Sequence, residues 1–168
     1  MKCEWEPENP LTPHPLARLA PTVPEMVEWL DGCRGAALDI ESLGSVLIMI
    51  GFWDTEQPER GGLCVTLRLE RGALPLYTLD EWYAIAGALY RFLADPAKPK
   101  GAHNGQAFDI WILERLGFEL NGYAWDTILM LHIAEPERKK DLQTAAVALC
   151  GAPAWKYLVR DASAGKDK

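Results

Sequence analysis

The sequence has few of the features that assign a chain to a class of protein at first sight. Its four cysteines stand far apart and form no CxxC pair, so we interpret them as reduced packing residues of a cytosolic protein. No apolar run is long enough to span a membrane, and the polar, proline-rich N-terminus does not look like a signal peptide. We therefore expect a soluble protein in the cytoplasm, without a membrane partner.

The sequence also lacks an excess of positive charge. Its formal net charge of −7 argues against a sequence-neutral DNA coat protein, which would present a basic face. The charge does not exclude an enzyme that meets phosphates through bound divalent cations, because the cations then supply the positive charge.

Length and composition indicate one folded domain behind a short arm. With 168 residues, of which 49% are hydrophobic, the chain is long enough to bury a sizeable core. Six of its twelve prolines stand in residues 1–24, which favours an extended arm there. Residues 25–168 are then expected to form a single domain.

The hydrophobic pattern changes its period along the chain. After a short predicted helix over residues 23–35, three segments within residues 36–70 have the pattern of strands with short glycine-containing connections, which predicts an antiparallel meander. A short strand near residue 100 interrupts a series of helical segments that cover 78–96, 106–118, 124–136 and 141–151. This order predicts a mixed α/β domain in which the later helices pack on the sheet.

Two acidic residues stand in the first predicted strand, within the stretch LDIES. Residues two apart in a strand point to the same face, so Asp39 and Glu41 project together, while Leu38 and Ile40 face the other way. The apolar flanks favour a buried strand, with a half-exposed strand end as the alternative. Burying carboxylates is unfavourable without positive charge, and no Lys or Arg stands in this run. A distant basic partner or metal ions would have to compensate them.

A second polar cluster, AHNGQAFD, follows the short strand. His103 and Asn104 form a polar turn, and Asp109 stands in the first turns of the next amphipathic helix. A lone acid at that place is ordinarily explained by the helix dipole. The order of the two motifs, D-x-E on a strand and then H-N-x-x-x-F-D after a short strand, favours a shared site instead.

These motifs carry a family resemblance. LDIES followed by AHNGQAFDIWIL resembles the first two motifs of the DEDD (RNase H-like) 3′–5′ exonucleases, in particular the proofreading domain of family A DNA polymerases, including phage relatives. WDTILMLHIAEPERKKDLQTAAVALCG is similar to the helix pair that follows in that group, so the resemblance covers roughly residues 34–156. It implies an RNase H-like exonuclease fold, an α/β fold whose mixed sheet joins the antiparallel meander to a short parallel strand and is flanked by helices.

The resemblance also implies a chemistry, namely hydrolysis of phosphodiester bonds at single-stranded DNA 3′ ends with two divalent cations, Mg²⁺ or Mn²⁺, which prefer carboxylate oxygens. In such a site Asp39 would bridge both ions, Glu41 would bind one ion and orient the attacking water, and Asp109 would hold the second ion. A DNA polymerase domain or protein is the implied partner. The residues implied to contact the strand end are Ser42, Leu43, His103 and Asn104.

The family pattern requires a fourth carboxylate, which lies in a final helix at Y-x-x-x-D spacing. Tyr157 and Asp161 have that spacing, so Tyr157 is a candidate substrate contact and Asp161 a candidate catalytic acid. In the relatives, however, this motif follows a further loop, and residues 154–168 look like that loop. We therefore expect the domain to lack its last helix, with Asp161 as the alternative fourth acid.

Several other residues are expected to have structural roles. Asp126 precedes TILMLH and Asp141 precedes LQTAA, and both are interpreted as helix N-caps, although Asp126 also matches a family position that approaches the site. Phe108 is expected in the core. Trp111 is expected there too, because the tryptophans are spread along the chain and do not form a base-stacking stripe.

Two other functions stay open at this point. One is a catalytically incomplete exonuclease-fold module that binds single-stranded nucleic acid or a polymerase partner, which the missing fourth acid favours. The other is an RNase D-like RNA exonuclease, because the metal chemistry is the same and only contacts to a 2′-hydroxyl would separate the substrates.

Overall fold

The computed structural model describes residues 14–44, 46–67 and 76–154. The chain divides into two compact units, Leu16–Thr127 and the combination of Met1–Pro15 with Ile128–Lys168. Tyr157 and Asp161 lie outside the described residues. The division into an arm over residues 1–24 and one domain over residues 25–168 stays a prediction.

The larger unit is built on a mixed six-stranded sheet. In chain order its strands are β1 (Ala17–Arg18), β2 (Ala36–Leu43), β3 (Val46–Asp54), β4 (Gly62–Thr66), β5 (Lys100–Ala102) and β6 (Tyr123–Asp126). In space the order is β1-β4-β3-β2-β5-β6. Strands β2, β3 and β4 are antiparallel neighbours, whereas β5 runs parallel to β2, and β6 runs parallel to β5. The predicted meander with a short parallel strand is confirmed.

Two strands were not predicted. Strand β1 comes from the proline-rich segment and pairs in parallel with the start of β4. Strand β6 takes up residues that the sequence pattern assigned to the start of a helix, and it ends at Asp126. The prediction was wrong there because four residues are too few to show a strand period in front of a strongly apolar helix.

Five α-helices are present among the described residues. They are α1 (Val23–Gly32), α2 (Leu79–Ala94), α3 (Asp109–Arg115), α4 (Thr127–Ala134) and α5 (Leu142–Ala145). Helix α2 begins as predicted, since the Thr78 side chain accepts a hydrogen bond from the Glu81 amide, while the Glu81 carboxylate accepts one from the Thr78 amide. A 3₁₀ turn over Gly105–Ala107 leads into α3.

The core of the larger unit collects apolar side chains from the sheet and its helices. The Phe52 ring of β3 lies 6.2 Å from the Trp29 ring of α1 and 5.6 Å from the Phe92 ring of α2, the latter edge to face. Leu38 and Ile40 of β2 are buried in the same cluster. Each such side chain contributes about 1.5–3 kcal/mol through its removal from water. This packing holds β2 in place, with its other face turned away from the core cluster.

The described part of the smaller unit carries most of α4 and all of α5. Asp141 caps α5 as predicted, because its carboxylate accepts a hydrogen bond from the Thr144 amide at 3.1 Å. A π-helical turn, Ala146–Cys150, continues α5 and ends at Gly151, whose φ of 68° is left-handed. In the described part of the chain, the helices are all too short or too polar to cross a membrane.

Candidate active site

The two acids of β2 lie on the same face of the strand, as the alternation predicts. Leu38 and Ile40 are each only 4% exposed. Asp39, which lies between them, and Glu41, which follows Ile40, are both exposed. The expectation that these carboxylates are buried is therefore wrong, and the half-exposed strand end describes them better. The arrangement makes both carboxylates accessible to a ligand without removing them fully from water.

Asp109 joins this pair through the backbone of β2. It is the first residue of α3, it is 3% exposed, and its Oδ1 accepts a hydrogen bond of 2.9 Å from the Ile40 amide. Strand β5 pairs with β2 only at Ala36 and Ala37, so the Ile40 amide lies beyond the last pair of the ladder. The carboxylate of Asp109 takes the place that a longer β5 would occupy. Because β5 ends early, the Asp109 carboxylate reaches the backbone of β2 between Asp39 and Glu41.

The carboxyl group of Asp109 is in an unfavourable place for a charge. Burial raises the pKa of Asp109 to about 6, the neighbouring Asp39 adds to this, and the hydrogen bond from Ile40 opposes it. The pKa of Asp39 is raised as well, because the surrounding protein displaces part of its water, while His103 acts in the opposite direction. The two carboxylates therefore influence each other within a partly dehydrated environment.

Within the described residues, no lysine or arginine forms an ion pair with these acids. Among the residues that the structure describes, the ion pairs to arginine or lysine are made by other acids, and none involves Asp39, Glu41 or Asp109. Buried carboxylates without a cationic side chain are typical of metal sites. The hard oxygen donors of these three residues fit a divalent cation such as Mg²⁺ or Mn²⁺.

The ligand arrangement is not complete in the described residues. They contain no group of three or more His, Cys, Asp or Glu side chains arranged to hold a metal ion. The donor chemistry of the three acids fits the cation, whereas the described residues do not show a complete set of ligands. Asp161, the candidate fourth acid, lies outside the described residues together with Tyr157.

A hydrogen-bonded network holds the turn that precedes α3. Asn104 has a left-handed backbone with φ of 67°, and its amide donates to Asp126 Oδ1 at 2.8 Å. The Tyr123 hydroxyl donates to Asp126 Oδ2 at 2.7 Å, and His103 Nδ1 lies 2.8 Å from the Thr127 hydroxyl oxygen. The turn that carries His103 and Asn104 is thereby tied to β6 and to the start of α4.

The contacts of Asp126 differ from those of the helix cap that the sequence predicted. It is 4% exposed, its carboxylate binds the turn after β5, and its charge adds to the elevation of the Asp109 pKa. Its match to a family position was the signal that could have identified it. Tyr123 was missed altogether, because nothing in a single sequence indicates that its hydroxyl reaches a carboxylate three residues away.

The hairpin between β2 and β3 carries two more candidates. Ser42 donates a hydrogen bond to the Gly44 carbonyl at 3.2 Å, and Leu43 is 57% exposed. An exposed leucine beside the acids is accessible to a base at a strand end. The interpretation of Phe108 and Trp111 as core residues is wrong, because they are 45% and 51% exposed.

The strand order and the helices around the sheet define the class of this fold. The fold is RNase H-like and similar to that of solved exonuclease structures, as the resemblance implied. No protein-family model and no curated protein sequence matches the chain.

Solved structures are similar to the chain at low sequence identity. RNase D of Trypanosoma brucei in complex with RNA U12 is similar with a TM-score of 0.60 at 18% identity, over 87% of this chain and 50% of that protein. The POL domain of Pol1 from M. smegmatis, in complex with DNA primer-template and dNTP, has a TM-score of 0.57 at 21% identity, over 86% and 24%. Escherichia coli RNase D, an exoribonuclease involved in structured RNA processing, has a TM-score of 0.51 at 18% identity, over 80% and 32%. The chain spans half or less of each of these three proteins.

Proposed function

We propose that this chain is a metal-dependent 3′–5′ exonuclease domain of the proofreading type, which hydrolyses phosphodiester bonds at single-stranded DNA ends. The observation that carries the proposal is the contact of Asp109 with β2. A buried carboxylate binds the backbone amide of Ile40, the residue between Asp39 and Glu41, and no described lysine or arginine pairs with any of these acids.

The three acids would divide the work of the site. Asp39, Glu41 and Asp109 would hold two divalent cations, Mg²⁺ or Mn²⁺, which when bound neutralise charge on the phosphate and lower the pKa of water. Glu41, exposed on β2, would accept a hydrogen bond from the attacking water and orient it towards the phosphorus. The Asp109 carboxylate would keep its position because the Ile40 amide holds one of its oxygens.

The residues around the acids would position the strand end. Leu43, exposed at the end of β2, would pack against the terminal base, and Ser42 would meet the terminal nucleotide. The turn with His103 and Asn104 would face the sugar and phosphate, since Asp126 binds its backbone and leaves the Asn104 side chain exposed. Tyr157 and Asp161 stay proposed members of the site. We further propose a DNA polymerase domain or protein as the partner, because one similar solved structure is a polymerase domain.

A noncatalytic function is the second candidate, and one observation favours it. The described residues contain no ready arrangement of three metal ligands. A module of this fold could bind single-stranded nucleic acid or a polymerase without cutting. The buried carboxylate of Asp109 speaks against it, because a buried charge without a described cationic partner is unfavourable in the absence of a metal ion.

A single experiment tests the proposed activity. Matched DNA and RNA oligonucleotides labelled at the 5′ end are incubated with the chain and Mn²⁺, Mg²⁺ or EDTA, and the products are resolved by length. We expect a ladder shortened from the 3′ end with either metal, at least 100-fold less product from Asp39→Asn and Asp109→Asn, and no change for Glu28→Gln, an exposed acid on α1.

Three other outcomes would change the conclusion. Preferential shortening of RNA would make the chain an RNase D-like enzyme. Metal binding detected by calorimetry, without cleavage, would show that the site binds metal but lacks the last acid that catalysis requires. If the chain neither cleaves the oligonucleotides nor binds metal, the noncatalytic binding module is the remaining candidate.

A further inference from the structure

Helix α3 has one buried and one exposed side. Asp109, Ile112 and Leu113 are each no more than 3% exposed and face the interior. Trp111 lies on the opposite side with 51% of its surface exposed, and Phe108, directly before the helix, is 45% exposed. An exposed indole next to a candidate site offers a flat apolar face on which a ligand can pack.

Arg115 completes this exposed side. Its guanidinium carbon lies 4.6 Å from the centre of the Trp111 ring, so the cation is stacked on the indole. Within the described parts of the chain no carboxylate pairs with Arg115. The aromatic ring holds a positive charge in place without neutralising it.

The three side chains lie along one flank that begins at the candidate active site. Phe108, Trp111 and Arg115 stand at positions i, i+3 and i+7, which share one side of a helix. We call these three residues the α3 flank. It starts one residue before Asp109, and because a helix rises 1.5 Å per residue, it extends only about 10 Å along the axis.

We propose that the α3 flank binds the single-stranded nucleic acid that leads into the candidate active site, with a base stacked on Trp111 and a phosphate paired with Arg115. This inference rests on the proposed exonuclease function and adds the path of the strand. Stacking on an aromatic ring holds bases of any sequence, and Arg115 supplies a local positive charge in a chain whose net charge is −7.

The chemistry of the flank favours a single strand over a folded protein partner. In nucleic acids, unpaired bases offer a free ring face that can stack on Trp111. The negatively charged phosphate next to such a base can then pair with the guanidinium of Arg115. The flank also begins at Phe108, at the end of α3 that carries Asp109, where the end of such a strand would be hydrolysed.

The test measures binding and cleavage separately. Fluorescence anisotropy in EDTA gives the affinity for a ten-nucleotide fluorescein-labelled single strand, as DNA and as RNA. We expect Trp111→Ala to weaken binding about 5- to 100-fold. Trp111→Phe should keep most of the affinity, and Arg115→Gln should weaken binding less than Trp111→Ala and reduce its dependence on salt. Tyr83→Ala removes an aromatic ring that is 65% exposed on α2 and serves as the matched control without effect.

The cleavage assay separates failure of this inference from failure of the proposed function. With Mn²⁺, Trp111→Ala should raise KM for the ten-nucleotide strand and leave hydrolysis of thymidine 5′-monophosphate p-nitrophenyl ester unchanged, because that small substrate does not reach the flank. If Trp111→Ala and the wild type have equal affinity and equal KM while cleavage is intact, the proposed role of the α3 flank in strand binding is wrong and the exonuclease function stands. A protein partner would then be the remaining candidate ligand of the flank. A wild-type chain that neither binds nor cuts the strand would overturn both.

Discussion

Asp54 and Asp109 are both buried in the larger unit, but their surroundings differ in charge. Asp54, at the end of β3, is fully buried, and its Oδ2 lies 3.1 Å from Arg60 Nε. Its Oδ1 accepts hydrogen bonds from the amides of Glu56 and Gln57. Asp109 is 3% exposed, accepts a hydrogen bond from the Ile40 amide, and faces Asp39 with no described cationic side chain paired to it. Asp54 has a cationic partner, whereas no described lysine or arginine pairs with Asp109.

The difference separates a structural acid from a candidate catalytic one. Arg60 is itself held by the Trp29 carbonyl and lies over the Trp29 ring, so the Asp54 pair belongs to the packing of the loop after β3. A buried negative charge without such a partner lowers stability, and a fold retains it where a ligand supplies the compensation. Four experiments test this difference between the two aspartates.

Loss of the Arg60 cation beside Asp54 should have the largest effect on stability. Arg60→Ala leaves Asp54 buried without its partner, which we expect to lower the free energy of unfolding by about 3 kcal/mol. Urea denaturation followed by circular dichroism measures it. If Arg60→Ala lowers the free energy of unfolding by no more than Arg91→Ala, whose partner Asp31 is exposed, burial of the acid does not make its cationic partner more important for stability.

Addition of a cation at the candidate site should have nearly as large an effect. Mn²⁺ at about one hundred times its dissociation constant should raise the free energy of unfolding of the wild type by about 2.7 kcal/mol. Asp39→Asn and Asp109→Asn should lose most of this increase, while Asp31→Asn, an exposed acid of α1, should keep it. An equal increase in all four proteins would place the ion elsewhere.

Removal of the uncompensated charge should stabilise the metal-free protein. The folded-state pKa of Asp109, about 6, lies above its ordinary value of 3.8, so the folded chain binds more protons between these two values. The stability contributed by this group is therefore present below about pH 4 and is lost as the pH rises through about 6.

Asp109→Asn removes that loss, because the amide oxygen still accepts the Ile40 hydrogen bond. In EDTA at pH 7 the variant should be more stable than the wild type by about 2 kcal/mol, and the difference should shrink towards pH 4. Thermal melts across this pH range measure both effects. A variant that is less stable at pH 7 would show that the Asp109 charge is compensated after all.

The exposed ion pair should show the smallest effect. Arg91 binds both oxygens of Asp31 on the surface, with side chains 58% and 47% exposed. Arg91→Ala should change the free energy of unfolding by less than about 1 kcal/mol, and less still in high salt. A loss as large as that of Arg60→Ala would mean that exposure does not distinguish the two pairs.

Local patterns predicted a large part of the fold. The cap of α2 depends on Thr78 and Glu81, which are three residues apart, and the common face of Asp39 and Glu41 follows from a period of two. Both were predicted correctly because neighbouring residues alone determine them. Strand β6 was missed, because its pairing partner β5 lies more than twenty positions away and the four residues have no period of their own.

The candidate site was predicted as a set of residues but not as an arrangement. Asp39, Glu41 and Asp109 were selected from motif order, yet the burial of the first two was wrong, and Asp126 was assigned only as a cap. Phe108 and Trp111 were placed in the core because hydrophobic residues usually lie there, although hydrophobicity does not say which face of a short helix is covered.

The amino-acid sequence alone predicted a mixed α/β domain from its periods and caps, and its motifs indicated the candidate acids through a family resemblance. The tertiary structure alone decides that β5 ends after three residues, which leaves the Ile40 amide to Asp109. It also decides that Arg60 reaches Asp54 while no described arginine or lysine pairs with Asp109. These outcomes depend on contacts between segments far apart in the chain, where a charge is favourable or unfavourable according to what the fold places beside it.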